Sequence, residues 1–194
     1  MSKKLQKRTF RKRAEIYKPQ VLSCPYCGGK AILRPTPYLF GDKTNEGSSD
    51  YYYVCTNYPE CSAYIKCRKG TFEPMGFLAD SWLRHMRNVA HRYIKIIAAN
   101  RIMRQEFIYY LIAGKLGVRE KYAHIRYSTN KNIEEIIKIL KGVLDNNHVV
   151  YDPELVETPE YYYLKKQGRL WNILMHDPLR KREKENLGSE TITE

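Results

Sequence analysis

The 194-residue chain contains no run of about 18 consecutive apolar residues, so an ordinary membrane-spanning helix is not expected. Its N-terminus, MSKKLQKRTFRKRAE, has no apolar stretch behind the basic residues of the kind a secretory signal carries, which points to a cytoplasmic protein. The five cysteines are an odd number in a chain without an export signal. A disulfide framework is therefore not expected, and reduced thiols are available to a metal. Catalytic signatures are missing as well: none of His85, His91, His124, His148 and His176 stands in an HExxH arrangement, and there is no P-loop or DxD pattern. Isolated histidines are more often hydrogen-bonded core residues than general bases, so the chain is not expected to be an enzyme.

What is present is positive charge, and its placement is uneven. The net charge is +13, and residues 1–20 carry eight Lys/Arg against one acid, while residues 84–105 carry six and no acid. Elsewhere acids and bases balance, so these two stretches hold the whole excess. A concentrated positive field attracts a polyanion, most often nucleic acid, although basic arms also serve as solubilising tails.

The cysteines fall into two groups. CPYCGG contributes Cys24 and Cys27, and VCTNYPECSAYIKC contributes Cys55, Cys61 and Cys67. The first spacing alone fits either a redox-active pair or half of a zinc site. A redox pair of the thioredoxin kind sits between a strand and a long helix, whereas here a glycine pair and a strand-like AILRP follow. Four thiolates suit zinc, which is tetrahedral and content with an all-sulfur shell. Pro25, Gly28 and Gly29 supply turn chemistry for the first knuckle, and Asn57, Tyr58 and Pro59 for the second. AILRP and YYYVC alternate like short strands around the polar loop GDKTNEGSSD. The expected ligands of one structural zinc ion are Cys24, Cys27, Cys55 and Cys61. Cys67 either replaces Cys61 or, as is commoner, is a spare buried thiol.

CPYCGGKAILRPTPYLFG, then YYYVCTNYPECSAYI, then the run from PMGFLADSWLRHMRNVAH through EFIYYLIAGKLGV to AHI resembles the zinc-finger-containing domain family of unknown function found in bacterial and phage genomes. The likeness covers about residues 22–140. It implies a metal site and no activity. If the chain is phage-encoded, as that resemblance suggests, its location would be the host cytoplasm. The Cys-x2-Cys knuckle, the aromatic strand and a second knuckle containing Tyr58 and Pro59 are also similar to the C-terminal four-cysteine ribbons of bacterial type I topoisomerases, which bind single-stranded DNA.

Aromatic residues crowd the ribbon segment, with Tyr38, Phe40, Tyr51, Tyr52, Tyr53, Tyr58 and Tyr64 interleaved with Lys30, Arg34, Lys66, Arg68 and Lys69. Flat rings flanked by cations are what single-stranded nucleic acid uses. The same rings equally pack over a metal or against a helix. From Asp80 onward the periodicity becomes helical. Leu83, Met86, Ala90, Tyr93, Ile94 and Ile97 form an apolar stripe beside Arg84, Arg87, His91 and Lys95, with Asp80 or Ser81 as N-cap. A second helix is expected over Arg104 to Leu116, stopped by Gly117, and a third from Asn132 through Leu144. YLIAGKLGV resembles the start of a helix-turn-helix, although REKYAHIRYS is short for a recognition helix.

The expected fold is α+β: a small four-cysteine zinc ribbon of short β-hairpins, followed by a mostly α-helical bundle. The expected divisions are a basic arm (1–20), the ribbon (21–72), a helical domain (73–150), a helical and aromatic C-terminal extension (151–179) and a mobile tail (180–194). The expected function is zinc-stabilised binding of DNA or RNA with little sequence specificity and a leaning to single strands. Phosphates would meet Lys3, Lys4, Lys7, Arg8, Arg11, Lys12 and Arg13 of the arm, with Arg84, Arg87 and Lys95; bases would stack on Tyr53 or Tyr58. The alternative is a phage or bacterial adaptor or inhibitor that grips a host protein of the transcription machinery or a defence system through the basic and aromatic surfaces.

Overall fold

Two short polar turns hold two chain reversals, and between them the alternating segments pair into a sheet. In the computed structural model residues 18–41 and 50–161 are described. The arm residues Lys3 to Arg13, the loop 42–49, and residues 162–194 with most of the aromatic extension and the whole tail lie outside the described residues. Strands β1 (Leu22–Ser23), β2 (Lys30–Pro35), β3 (Tyr51–Cys55) and β4 (Tyr64–Lys66) form one antiparallel sheet in the order β1-β2-β3-β4. A one-turn helix, α1 (Pro37–Phe40), follows β2. The helices after the sheet are α2 (Ser81–Ala99), α3 (Gln105–Leu116), α4 (Glu120–Ala123), α5 (Ile133–Asn146) and α6 (Pro153–Glu157), with a 3-10 turn at Ile125–Tyr127. The chain is thus α+β, a ribbon followed by helices, as its periodicities indicate.

The register fixes which residues share a face. Leu33 lies opposite Tyr53, which lies opposite Ile65, and Ala31 lies opposite Cys55. Alternation puts these on one side and Arg34, Tyr52, Val54, Tyr64 and Lys66 on the other. The inner side forms a core with Cys24, Ala31, Tyr53, Cys55, Ala63, Cys67 and Leu78. Five of these seven are cysteines or alanines, so the apolar volume buried here is small.

Two compact units divide the chain. The ribbon unit takes in residues to Arg87, which include the first residues of α2, together with His124–Ile133. That returning segment is held by specific bonds. Arg87, buried at 8% exposure, donates to Phe77 O (3.0 Å), Ser128 Oγ (3.2 Å) and Ser128 O (2.5 Å). The Tyr26 hydroxyl of the first knuckle lies 3.3 Å from Leu78 O and 3.2 Å from Asn130 Oδ1. Asp80 caps α2, its Oδ1 accepting from Leu83 N at 2.7 Å.

The helical unit comprises Asn88–Ala123 and the residues from Glu134 on. Tyr93, Ile94, Ile97, Ile108, Ile112, Ile136, Leu140 and Leu144 are buried there, the apolar stripes that helical spacing marks out. Arg92 donates to Val156 O and Thr158 O, both at 2.7 Å, and its guanidinium covers the ring of Tyr161. These contacts hold residues 153–161 on the helices. Gly117 ends α3 in the left-handed region, φ +64°, and Val118 N closes onto Ala113 O. The helix-turn-helix likeness goes no further: after Gly117 residues 119–128 form only the single turn α4 and the 3-10 turn at Ile125–Tyr127. Ile125 and Ser128 belong to the ribbon unit instead.

Gly76 packs closely against the returning segment. Its φ is +125°, and a Cβ there would collide with the Arg126 carbonyl. Gly76→Ala is therefore expected to lower stability by about 2 kcal/mol or more, seen as a lower urea midpoint; an unchanged midpoint would show that the His124–Ile133 segment does not pack this way.

Candidate metal centre and ribbon surface

The two knuckles carry their thiols to one point. In the first, Cys24 N donates to Gly29 O (2.7 Å) and Gly28 N to Cys24 O (3.0 Å), with Gly28 at φ +70°, a conformation glycine adopts without steric cost. In the second, Tyr58 N donates to Cys55 O (3.1 Å) and Cys61 N to Asn57 O (2.8 Å). The Sγ atoms of Cys24, Cys27, Cys55 and Cys61 all lie within 4.8 Å of one another. Cys24 and Cys61 are 3.6 Å apart, and Cys27 and Cys55 are 3.4 Å apart. Four zinc–sulfur bonds of about 2.3 Å in a tetrahedron would place the sulfurs roughly 3.8 Å apart. The four cysteines are thus positioned to coordinate one metal ion.

Backbone amides support the sulfurs. Gly29 N–H reaches Cys27, Asn57 N–H reaches Cys55, and Ala63 N–H reaches Cys61, each donor two residues beyond its thiol. The Gly29 amide, helped by Cys55, lowers the exposed Cys27 thiol to about 7. Burial pushes Cys55 the other way, up to about 12, against the pull of the Asn57 amide. Amide donors of this kind stabilise thiolates, the form that zinc binds. Asn57 Nδ2 adds a further donor 3.5 Å from Cys27 Sγ. Cys67 stands outside the four, buried in the ribbon core, and desolvation pushes its thiol up to about 12. It is the spare buried thiol and not a substitute for Cys61.

Several cations and rings that the sequence marks for nucleic acid have structural duties. Tyr53 is at 0% exposure under the sheet, so no base can reach its ring, and its hydroxyl accepts from Gln20 N at 3.2 Å. Arg87 is the buried clamp described above, and burial pulls its guanidinium down to about 10, still protonated at neutral pH. Arg84 is half-buried; it donates to Ser62 O and Ala79 O, both at 2.6 Å, and covers the ring of Tyr64 at 3.7 Å. Tyr53 and Arg87 are thereby removed from the candidate contacts. The reason lies in alternation and helical phase: Tyr53 shares the face of Cys55, and Arg87 shares a helical face with Leu83. Tyr58 is half-buried with its ring 6.2 Å from Tyr38, and Lys95 is exposed on the helical unit.

The outer face of the sheet collects the rings that remain. Phe40 meets Tyr52 at 5.6 Å and Tyr64 at 6.2 Å, and Tyr52 meets Tyr64 at 6.0 Å, all edge to face. Arg34 lies over Tyr38 at 4.9 Å, and Lys66 lies 6.0 Å from the Tyr52 ring. Lys66 also pairs with Asp50 at 2.6 Å. A signal for this face is present in the sequence. Cys55 must point to the metal, so Tyr53 and Tyr51 point with it and Tyr52 points away.

Four clustered thiols on two knuckles of a small antiparallel sheet define a zinc-ribbon protein. Residues 20–143, more than half of the chain, match the family model described as a zinc-finger-containing domain, and the chain belongs to that family. No curated protein and no solved structure matches the chain. Among the described residues no helix is long and apolar enough to cross a membrane.

Two outcomes follow from this geometry. The purified chain should hold one zinc ion; Cys55→Ser should lose it together with the ribbon's amide protection, whereas Cys67→Ala should keep it and cost about 1 kcal/mol. Metal analysis with hydrogen exchange reads both, and loss of zinc in Cys67→Ala would contradict the assignment. Arg87→Met leaves Phe77 O and Ser128 O without their donor and should cost about 2 kcal/mol in urea unfolding; a neutral effect would return Arg87 to the list of surface cations.

Proposed function

We propose that the protein is a nucleic-acid-binding module, with one structural zinc ion holding a ribbon that presents rings and cations to the ligand. Contacts with phosphates and base faces carry little sequence information, so binding is largely independent of sequence. The observation that supports this reading is the outer sheet face, where Arg34, Tyr52 and Lys66 stand side by side on three adjacent strands. The net charge of +13 adds a long-range attraction to polyanions. In this reading zinc shapes the site without taking part in a reaction, and the protein binds without turnover.

A second reading is favoured by a different observation. In the helical unit Phe107, Tyr110 and Tyr122 are each about half exposed, with Arg104 against Phe107 and Lys121 against Tyr122. Exposed rings bordered by cations also suit an adaptor that grips an acidic protein surface. The two readings separate in one experiment. Fluorescence anisotropy of the zinc-loaded chain with labelled DNA and RNA is expected to show micromolar or tighter binding whose affinity falls as salt rises from about 50 to 200 mM. Absence of binding at the lowest salt would overturn the nucleic-acid reading and leave the adaptor.

A further inference from the structure

We propose that the outer face of the ribbon sheet is the binding site and that its ligand is single-stranded, with bases stacking on Tyr38 and Phe40 and phosphates meeting Arg34 and Lys66. This rests on the nucleic-acid reading above and adds to it the strand state and the contact residues.

Three observations carry the inference. Tyr38 and Phe40 remain 45% and 46% exposed although they belong to a ribbon with very little apolar core to spare. Exposed rings that gather on one face mark an interaction surface in a way that singly scattered ones do not. The rings around Phe40 meet edge to face, with interplanar angles of 67° to 90°, so they do not cover one another by stacking. Each exposed ring also has a cation close to the same cluster. Arg34 lies over Tyr38, and the register sets Arg34, Tyr52 and Lys66 in one rung across β2, β3 and β4. Positive charge on both sides of a ring rung complements a chain that alternates planar bases with phosphates.

The strand state follows from the same geometry. Stacking on a protein ring needs an open base face, and in a duplex those faces are covered by neighbouring base pairs. Ring stacking and phosphate contacts carry little sequence information, so discrimination among bases is weak. Asp50 sets the strength. Its carboxylate holds Lys66 at 2.6 Å, and a phosphate approaching Lys66 meets that negative charge. Asp50 is therefore a built-in brake on affinity, and removing its charge frees a cation that is already in place.

The test is anisotropy of the full zinc-loaded chain with labelled oligo-dT, oligo-U and a duplex of the same length over a salt series. The wild type is expected to prefer one or both single strands to the duplex, the two single-strand arms separating DNA from RNA. Tyr38→Ala and Phe40→Ala should each weaken single-strand binding by roughly fivefold to a hundredfold. Arg34→Ala should make the logarithmic salt slope shallower by about 0.7, and Asp50→Asn should tighten binding and steepen the slope by about 0.7. A gain in Asp50→Asn cannot arise from misfolding, which keeps the set decisive even if a ring variant loses zinc. Affinity and salt slope that are unchanged in all four variants, or binding that is equal on the duplex, overturn this site while leaving the nucleic-acid reading in place. Failure of the wild type to bind any of the three probes overturns both.

Discussion

Everything in the ribbon depends on four sulfurs being brought within 4.8 Å of one another. The sheet is short, its β1 has two residues and β4 three, and the inner core is mostly small side chains around one tyrosine. Such a core gives up too little apolar surface to offset the entropy of ordering the chain. Coordination of one ion by both knuckles supplies that free energy and also a reference point. Once Cys55 points to the metal, alternation sends Tyr53 inward and Tyr52 outward. The metal thus determines which aromatic residues stay dry and which meet the solvent.

A second constraint acts on the cations. Arg84 and Arg87 stand on the first turns of α2, where the sequence shows six basic residues and no acid over residues 84–105. Inside the ribbon unit these two guanidinium groups find carbonyl acceptors on Ser62, Phe77, Ala79 and Ser128. Arg92 does the same for Val156 and Thr158 in the helical unit. Arginine suits this duty because its donors are fixed in a planar fork that bridges separate segments. A cluster of arginines on one helix is therefore evidence of charge only where the side chains reach solvent.

Legibility in the sequence follows from the range of the interactions. The zinc ligands could be read because each knuckle is local, and spacing with turn residues defines it. The helices could be read because the apolar stripe and the stop at Gly117 are local too. The return of His124–Ile133 to the ribbon unit could not, since it rests on Arg87 reaching Ser128 and on Gly76 leaving room for Arg126, pairs distant in sequence. The sequence offers Tyr53 or Tyr58 for stacking, and strand alternation alone gives two faces of β3 without saying which is buried. The cysteine at the end of the same strand resolves that choice. Tyr38 and Phe40 gain their place from the one-turn helix α1, a feature of four residues with no periodicity to announce it.

One ion held by four thiolates organises the ribbon. The most direct measurement is a cobalt(II) titration of the metal-free full chain, followed by visible absorption and far-ultraviolet circular dichroism on the same sample. Tetrahedral four-thiolate bands are expected to saturate at one ion per chain, with the gain in β-structure signal reaching its end point at the same ratio. Bands indicating fewer thiolates, or a dichroism spectrum already complete before metal is added, would contradict this role of the ion.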